Sequence, residues 1–424
     1  MVEERILPGG LRFVGEKIPH FRSTAMGIWV LAGSVGEETI RNGISHFIEH
    51  MLFKGTENRS AHQLVQEIDA VGGSLNAFTT KEYTCFHVKV MDEHIPLAVD
   101  VLLDLLMNPL LEEDAITREK AVVMEEIAMS EDTPEDLVHE ILCDSFFSNH
   151  SLAMPILGTK ETVQQIDRQS IVSYMERWYH PENMVFSIAG NYDSDQVSAL
   201  VTQRLGKKQW TSFAPKEETG HSLCYAARNI VFREKPIEQV HVSMGFPGLV
   251  RGHDDVYAML ALNNVLGGGM SARLFQKIRE QQGLAYSVYT YPVSYGDGGL
   301  FDIYAGLNMA SLPQMLELLR TELEDIRGKG LSVQELAAAK EQMKGNFILG
   351  LDSTGNRMSS IGKSILLLGE VRSEEEILRR MNAVTMEDVA RVTQSILNYE
   401  KMTLALVGPL GNIDEVEGIM KRFA

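Results

Sequence analysis

Two histidines and a glutamate fall within five residues, His46-Phe47-Ile48-Glu49-His50, inside a stretch with helical periodicity. At 3.6 residues per turn, positions i, i+3 and i+4 share one face of a helix. Two neutral imidazoles one turn apart form a natural pincer for a zinc ion, and a carboxylate between them can take a proton from water. These residue types at this spacing point to metal-assisted hydrolysis. The order His-x-x-Glu-His reverses the commoner His-Glu-x-x-His.

The element that must carry them reads as an amphipathic helix. Ile44, Phe47, Ile48, Met51 and Leu52 make its apolar stripe, and His46, Glu49 and His50 fall on the opposite face. Asn42 is expected to cap its start and Gly55 to end it. Solvated histidines would satisfy the same wheel, so the metal reading needs a further ligand on another element, because a catalytic zinc usually takes three. A helix expected over Glu112–Glu131 offers carboxylates. Its stripe is Ile116, Val123 and Ile127; Glu119 and Glu126 lie within or beside it, while Glu125 points away. A carboxylate on a buried helix face is costly unless it is paired or holds a cation. Two readings follow: Glu126 as third ligand with Glu119 assisting behind it, or both glutamates salt-bridged to arginines.

The chain of 424 residues is long enough for two or more domains, and it is written twice. Pro96–Ile127 resembles Pro313–Ile348, Leu75–Val90 matches Tyr286–Leu307, and Arg177–Asn191 parallels Ser395–Pro409, all in the same order. A period this long signals two homologous domains. Strand-like runs mixed with helical blocks, without regular βαβ spacing, predict an α+β fold of two homologous α/β-sandwich domains. The expected boundary is 1–215 and 216–424, with an exposed joint around Gly206–Asn229. In the second half the counterpart of the metal helix, Val256–Leu266, contains no histidine and no glutamate, so the site is expected only in the first.

Composition narrows the function. A hydrophobic content of 44% and a charged content of 23% are those of a soluble globular protein. A formal net charge of −19 argues against nucleic acid as a partner. No apolar segment is long enough to span a membrane, and the charged start Met1-Val2-Glu3-Glu4-Arg5 lacks a secretory leader's apolar run. Cys85, Cys143 and Cys224 suggest neither a disulfide framework nor a zinc ribbon. A cytoplasmic location is expected. Gly267-Gly268-Gly269 is not followed by Gly-Lys-Ser/Thr, so a phosphate-binding P-loop is rejected.

The run His46-Phe47-Ile48-Glu49-His50-Met51-Leu52-Phe53-Lys54-Gly55-Thr56, followed by Glu119 and Glu126, resembles the pitrilysin/insulinase class of inverzincin zinc peptidases. It is most similar to the branch holding the mitochondrial processing peptidase and its bacterial relatives. The resemblance spans essentially the whole chain. It implies two domains in a clamshell arrangement and one Zn2+ per chain on His46, His50 and Glu126, with Glu49 as general base and Glu119 assisting. Gly72–Thr79 resembles the family's edge strand, so Leu75, Asn76, Ala77 and Phe78 would bind an extended peptide by β-augmentation. Arg279–Tyr286 resembles the segment of the second domain that serves the site, Arg279 fixing a substrate carbonyl and Tyr286 stabilising the oxyanion. The implied function is a zinc-dependent endopeptidase for extended or unfolded peptides, acting as a homodimer. The rivals are a non-catalytic or partner-dependent processing-peptidase-like subunit and a cofactor-maturation partner.

Overall fold

The computed structural model describes residues 2–208, 210, 223–411 and 413–423. Eleven strands occur among them: β1 (Val2–Ile6), β2 (Arg12–Lys17), β3 (Ser23–Val30), β4 (Ser74–Thr79), β5 (Thr84–Met91), β6 (Met184–Gly190), β7 (Asn229–Glu234), β8 (Val240–Pro247), β9 (Ala285–Ser294), β10 (Gly299–Leu307) and β11 (Thr403–Gly408). They form two sheets, in the orders β1-β2-β6-β3-β5-β4 and β7-β11-β8-β10-β9.

The duplication read from the sequence is written in these orders. Without β1, the first sheet is β2-β6-β3-β5-β4 and matches the second strand for strand. In each sheet one pair is parallel, β2 with β6 and β7 with β11, and the other corresponding pairs are antiparallel. Tyr286–Leu307 and Leu75–Val90, aligned by pattern, are the matching hairpins β9–β10 and β4–β5.

Strand alternation explains how each sheet is covered. Along β3, Met26, Ile28 and Val30 face one large helical layer, while Ala25 and Trp29 face the other side, the two-residue period of a strand. Both sets are buried. The second face is covered by the helix Thr354–Leu368, whose Met358, Ile361, Ile365 and Leu366 pack with Val14, Trp29, Cys85 and Val185. The second sheet is built alike. Val242, Met244, Phe301 and Ile303 join its large apolar core, and the alternate residues Ser243, Gly245 and Asp302 meet the helix Pro134–Phe146. There His139 Nδ1 lies 2.8 Å from Asp302 Oδ2, and Leu142 packs against Gly245.

The compact units are consequently not two contiguous halves. One comprises Met1–Ile127, Met154–Thr219 and Ile348–Arg372; the other comprises Ala128–Ala153, Gly220–Phe347 and Ser373–Ala424. Each half lends one segment to the other unit. The boundary expected at 215/216, and Pro215, Lys216, Glu217, Glu218, Gly220 and His221 of the expected joint, lie outside the described residues.

Close approach of the lent helix depends on Gly362. A Cβ there would lie 2.2 Å from Trp29 Nε1 and 2.8 Å from Ser187 Oγ, two atoms already joined by a buried hydrogen bond of 2.7 Å. Alanine for glycine in an open helix gains about 1 kcal/mol; here overpacking wins. Gly362→Ala is expected to lower stability by about 1–3 kcal/mol, measured by urea unfolding. A gain in stability would contradict this packing.

Among the described residues no helix is long and apolar enough to cross a membrane. Among the described residues, Cys85, Cys143 and Cys224 form no disulfide.

Candidate metal centre

The pentad lies on the helix Ile44–Leu52, whose stripe Ile44, Phe47, Ile48, Met51 and Leu52 is at most 1% exposed. His46, Glu49 and His50 are only partly buried, as the wheel requires. Both expected ends need correction. The capping position is Gly43, with a left-handed φ of 95°, and no side chain at that position caps the helix. Asn42 instead donates through Nδ2 to Glu37 Oε2 at 2.8 Å and to the Pro155 carbonyl at 2.9 Å. At the other end the helix stops at Leu52 with Phe53 as its cap, before Gly55.

The second carboxylate helix runs Glu113–Asp132. Glu119 is 4% exposed, Glu126 is half-buried and Glu125 is exposed. Among the described residues no arginine pairs with Glu119 or Glu126. Glu119 Oε1 lies 2.8 Å from His50 Nδ1, and its Oε2 lies 2.7 Å from Lys54 Nζ. Glu126 Oε2 lies 3.6 Å from His46 Nε2 and 3.4 Å from His50 Nε2. The two Nε2 atoms are 3.2 Å apart.

Those three separations are the edges of a triangle, and they test whether zinc fits. A tetrahedral ion about 2.0–2.1 Å from each ligand sets its ligand atoms about 3.3–3.4 Å apart. The observed edges bracket that value, and among the described residues this is the one group of three such side chains able to hold an ion. The nitrogens are suitably prepared. Burial, reinforced by the neighbouring His50, holds His46 down to about 4, so its imidazole is neutral. Burial also pulls on His50, but its bond to Glu119 and the nearby Glu126 charge outweigh this and leave it raised. Glu119, held ionised by His50 and Lys54 against its own burial, accepts the Nδ1 proton and leaves Nε2 for a cation. Such carboxylate–histidine pairs fix the tautomer of metal ligands. His46 Nδ1 is buried without a hydrogen-bond partner among the described residues, so the polar contacts of its ring are those of Nε2 with His50 and Glu126.

Glu49 stands near His50 and Glu126 of this cluster. Burial raises its carboxyl above the usual range, partly offset by a 2.6 Å hydrogen bond that Thr79 Oγ1 donates to Oε2. Thr79 ends β4, the edge strand of the first sheet, which also carries Leu75, Asn76, Ala77 and Phe78. The edge strand therefore leads directly to Glu49.

Arg279 and Tyr286 belong to the other unit. Arg279 lies in a π-helical segment, Phe275–Gln281, and Tyr286 near the start of the edge strand β9. The guanidinium sits 5.0 Å over the Tyr286 ring and 4.8 Å over the Phe275 ring. Tyr286 is 75% exposed, so its hydroxyl is available.

Sequence reasoning left two partners unassigned. Lys54 lies past the helix end at Leu52, so helical spacing gave no signal that it shares Glu119 with His50. Thr79 lies two residues beyond Ala77 on the same strand face, but only the fold brings that face to Glu49.

Residues 12–160 match the model of the insulinase family, peptidase family M16, and residues 165–343 match that of the peptidase M16 inactive domain. The uncharacterized zinc protease YmxG of Bacillus subtilis is 42% identical over 97% of this chain and 100% of its own length. A peptidase M16 inactive domain from Pseudomonas fluorescens superposes with a TM-score of 0.89 at 19% identity, over 96% of this chain and 98% of its own. A protease from Helicobacter pylori gives 0.87 at 20%, covering 96% and 99%. With both halves accounted for by the paired models, and a zinc protease matching it nearly end to end, this chain belongs to the insulinase family, peptidase family M16.

Proposed function

We propose that this chain is a zinc-dependent endopeptidase that hydrolyses extended or unfolded peptides. The observation that carries the reading is the triangle of His46, His50 and Glu126, with Glu49 beside it and the edge strand running into it. These three residues would hold one zinc ion, which supplies a Lewis acid that brings the pKa of water towards about 7 and polarises a carbonyl.

The chain's own groups do the rest. Glu49 takes the proton of the attacking water and later gives it to the leaving amine. Its burial favours that role, because a raised carboxyl is a stronger base, and Thr79 keeps it oriented. Leu75–Phe78 bind the substrate backbone by adding a strand to β4. Main-chain hydrogen bonds of that kind accept many sequences but require an extended peptide. Glu119 keeps His50 in the metal-binding tautomer. Arg279 fixes a substrate carbonyl, and the exposed Tyr286 hydroxyl donates to the developing oxyanion. Two chains associate as a homodimer, working in the cytoplasm.

Purified, zinc-loaded protein incubated with unstructured peptides tests this reading. Internal cleavage that a chelator abolishes and zinc restores is expected. Bound zinc with no cleavage of any peptide would favour a non-catalytic or partner-dependent subunit. Tyr286→Phe is expected to lower kcat by about 10²–10³-fold with unchanged zinc content; unaltered turnover would remove Tyr286 from the oxyanion role.

A further inference from the structure

The helix that carries both histidines has only nine residues, Ile44–Leu52, and its first turn is fixed from outside. The first N–H groups of a helix have no partner within it, and Gly43 has no side chain to offer them. Glu37, six residues earlier and 8% exposed, supplies both its oxygens. Oε2 accepts from Gly43 N at 2.6 Å and from Asn42 Nδ2 at 2.8 Å, and Oε1 accepts from Ser45 N at 2.9 Å. Among the described residues no lysine, arginine or histidine pairs with it. A buried carboxylate without a cation is costly; burial raises the Glu37 carboxyl above its usual range, and the three donors, with the positive end of the helix dipole, offset part of that cost.

The surroundings leave that turn little freedom. A Cβ on Gly43 would lie 2.6 Å from the Leu157 carbonyl oxygen, and Ser45 Oγ lies 2.8 Å from Tyr174 OH. His46 is the next residue. A helix side chain reaches about 5–6 Å from the axis, so a rotation of about 10° moves its tip by about 1 Å, whereas metal sites tolerate about 0.2 Å.

We propose that Glu37 is a positioning residue: its carboxylate sets the rotation of the helix Ile44–Leu52 so that His46 and His50 meet Glu126 around one zinc ion. This rests on the zinc reading above and adds a residue that does not touch the metal. Glutamine at this position would keep the size but remove the charge, and it would set an amide N–H against one of the backbone N–H donors.

The test compares Glu37→Gln with Thr385→Ala. Thr385 caps the helix Met386–Ile396 in the other unit, so its loss costs stability away from the metal. Zinc affinity by chelator competition, melting of the metal-free protein, and amide exchange at Gly43 and Ser45 are measured on the full chain. Glu37→Gln is expected to weaken zinc binding by about 10–100-fold and to speed exchange at those two amides. Where peptide cleavage is measured, kcat should fall with KM little changed. Thr385→Ala should match it in melting yet bind zinc like the parent. Zinc affinity unchanged in Glu37→Gln, or equally weakened in Thr385→Ala, would overturn the proposal. Should Glu37→Gln fail to fold, Glu37→Asp, which keeps the charge but shortens the reach, is scored by the same affinities. A parent that binds zinc but cleaves nothing would refute the peptidase reading while the affinity comparison still decides on Glu37.

Discussion

Glu49→Gln is expected to keep zinc at one ion per chain and to lower hydrolysis of unstructured peptides by about 10²–10⁴-fold, the span of a lost general base. The substitution preserves size and the contact with Thr79 Oγ1, 2.6 Å from Oε2 in the parent. It removes the negative charge and with it the ability to accept a proton. Glu49 is not among the three residues whose ligand atoms converge, so metal content should not follow activity down. Zinc assay alongside single-turnover cleavage separates the two. Residual cleavage within about tenfold of the parent would take the base role from Glu49.

Glu126→Gln should do the opposite, losing metal first and activity as a consequence. Glu126 Oε2 closes the triangle at 3.4 Å and 3.6 Å from the two imidazole nitrogens. Without its charge a cation would face two neutral rings. Zinc affinity is expected to fall by more than about 100-fold, beyond what loss of a supporting hydrogen bond costs. Glu125→Gln, one residue away but exposed, should bind zinc like the parent. Equal behaviour of the two variants would place the third ligand elsewhere.

Much of this site was legible because it is written in local periodicity. The stripe Ile44, Phe47, Ile48, Met51, Leu52 fixes which way His46, Glu49 and His50 point. The stripe Ile116, Val123, Ile127 likewise separates Glu119 and Glu126 from Glu125. The duplication was legible too, since matching hairpins keep their alternation even where residues differ. What could not be read is tertiary. The helices Thr354–Leu368 and Pro134–Phe146 look like any amphipathic helix, and nothing in their spacing says which sheet they cover. Asn42 has the chemistry of a cap, yet the chain turns through a left-handed Gly43, and the carboxylate of Glu37 takes over. Arginines were the expected alternative partners of Glu119; Lys54, brought beside it by the turn that follows the metal helix, fills that place.

Zinc-edge X-ray absorption on the metal-loaded chain, with the metal content of the same sample, bears most directly on the centre. One zinc per chain is expected, with two imidazole nitrogens at about 2.0–2.1 Å, carboxylate or water oxygens at about 2.0–2.2 Å and no sulfur. The spectrum should lose its histidine signature when His46 or His50 is replaced. A sulfur shell near 2.3 Å, or a spectrum and stoichiometry indifferent to His46, His50 and Glu126, would contradict it.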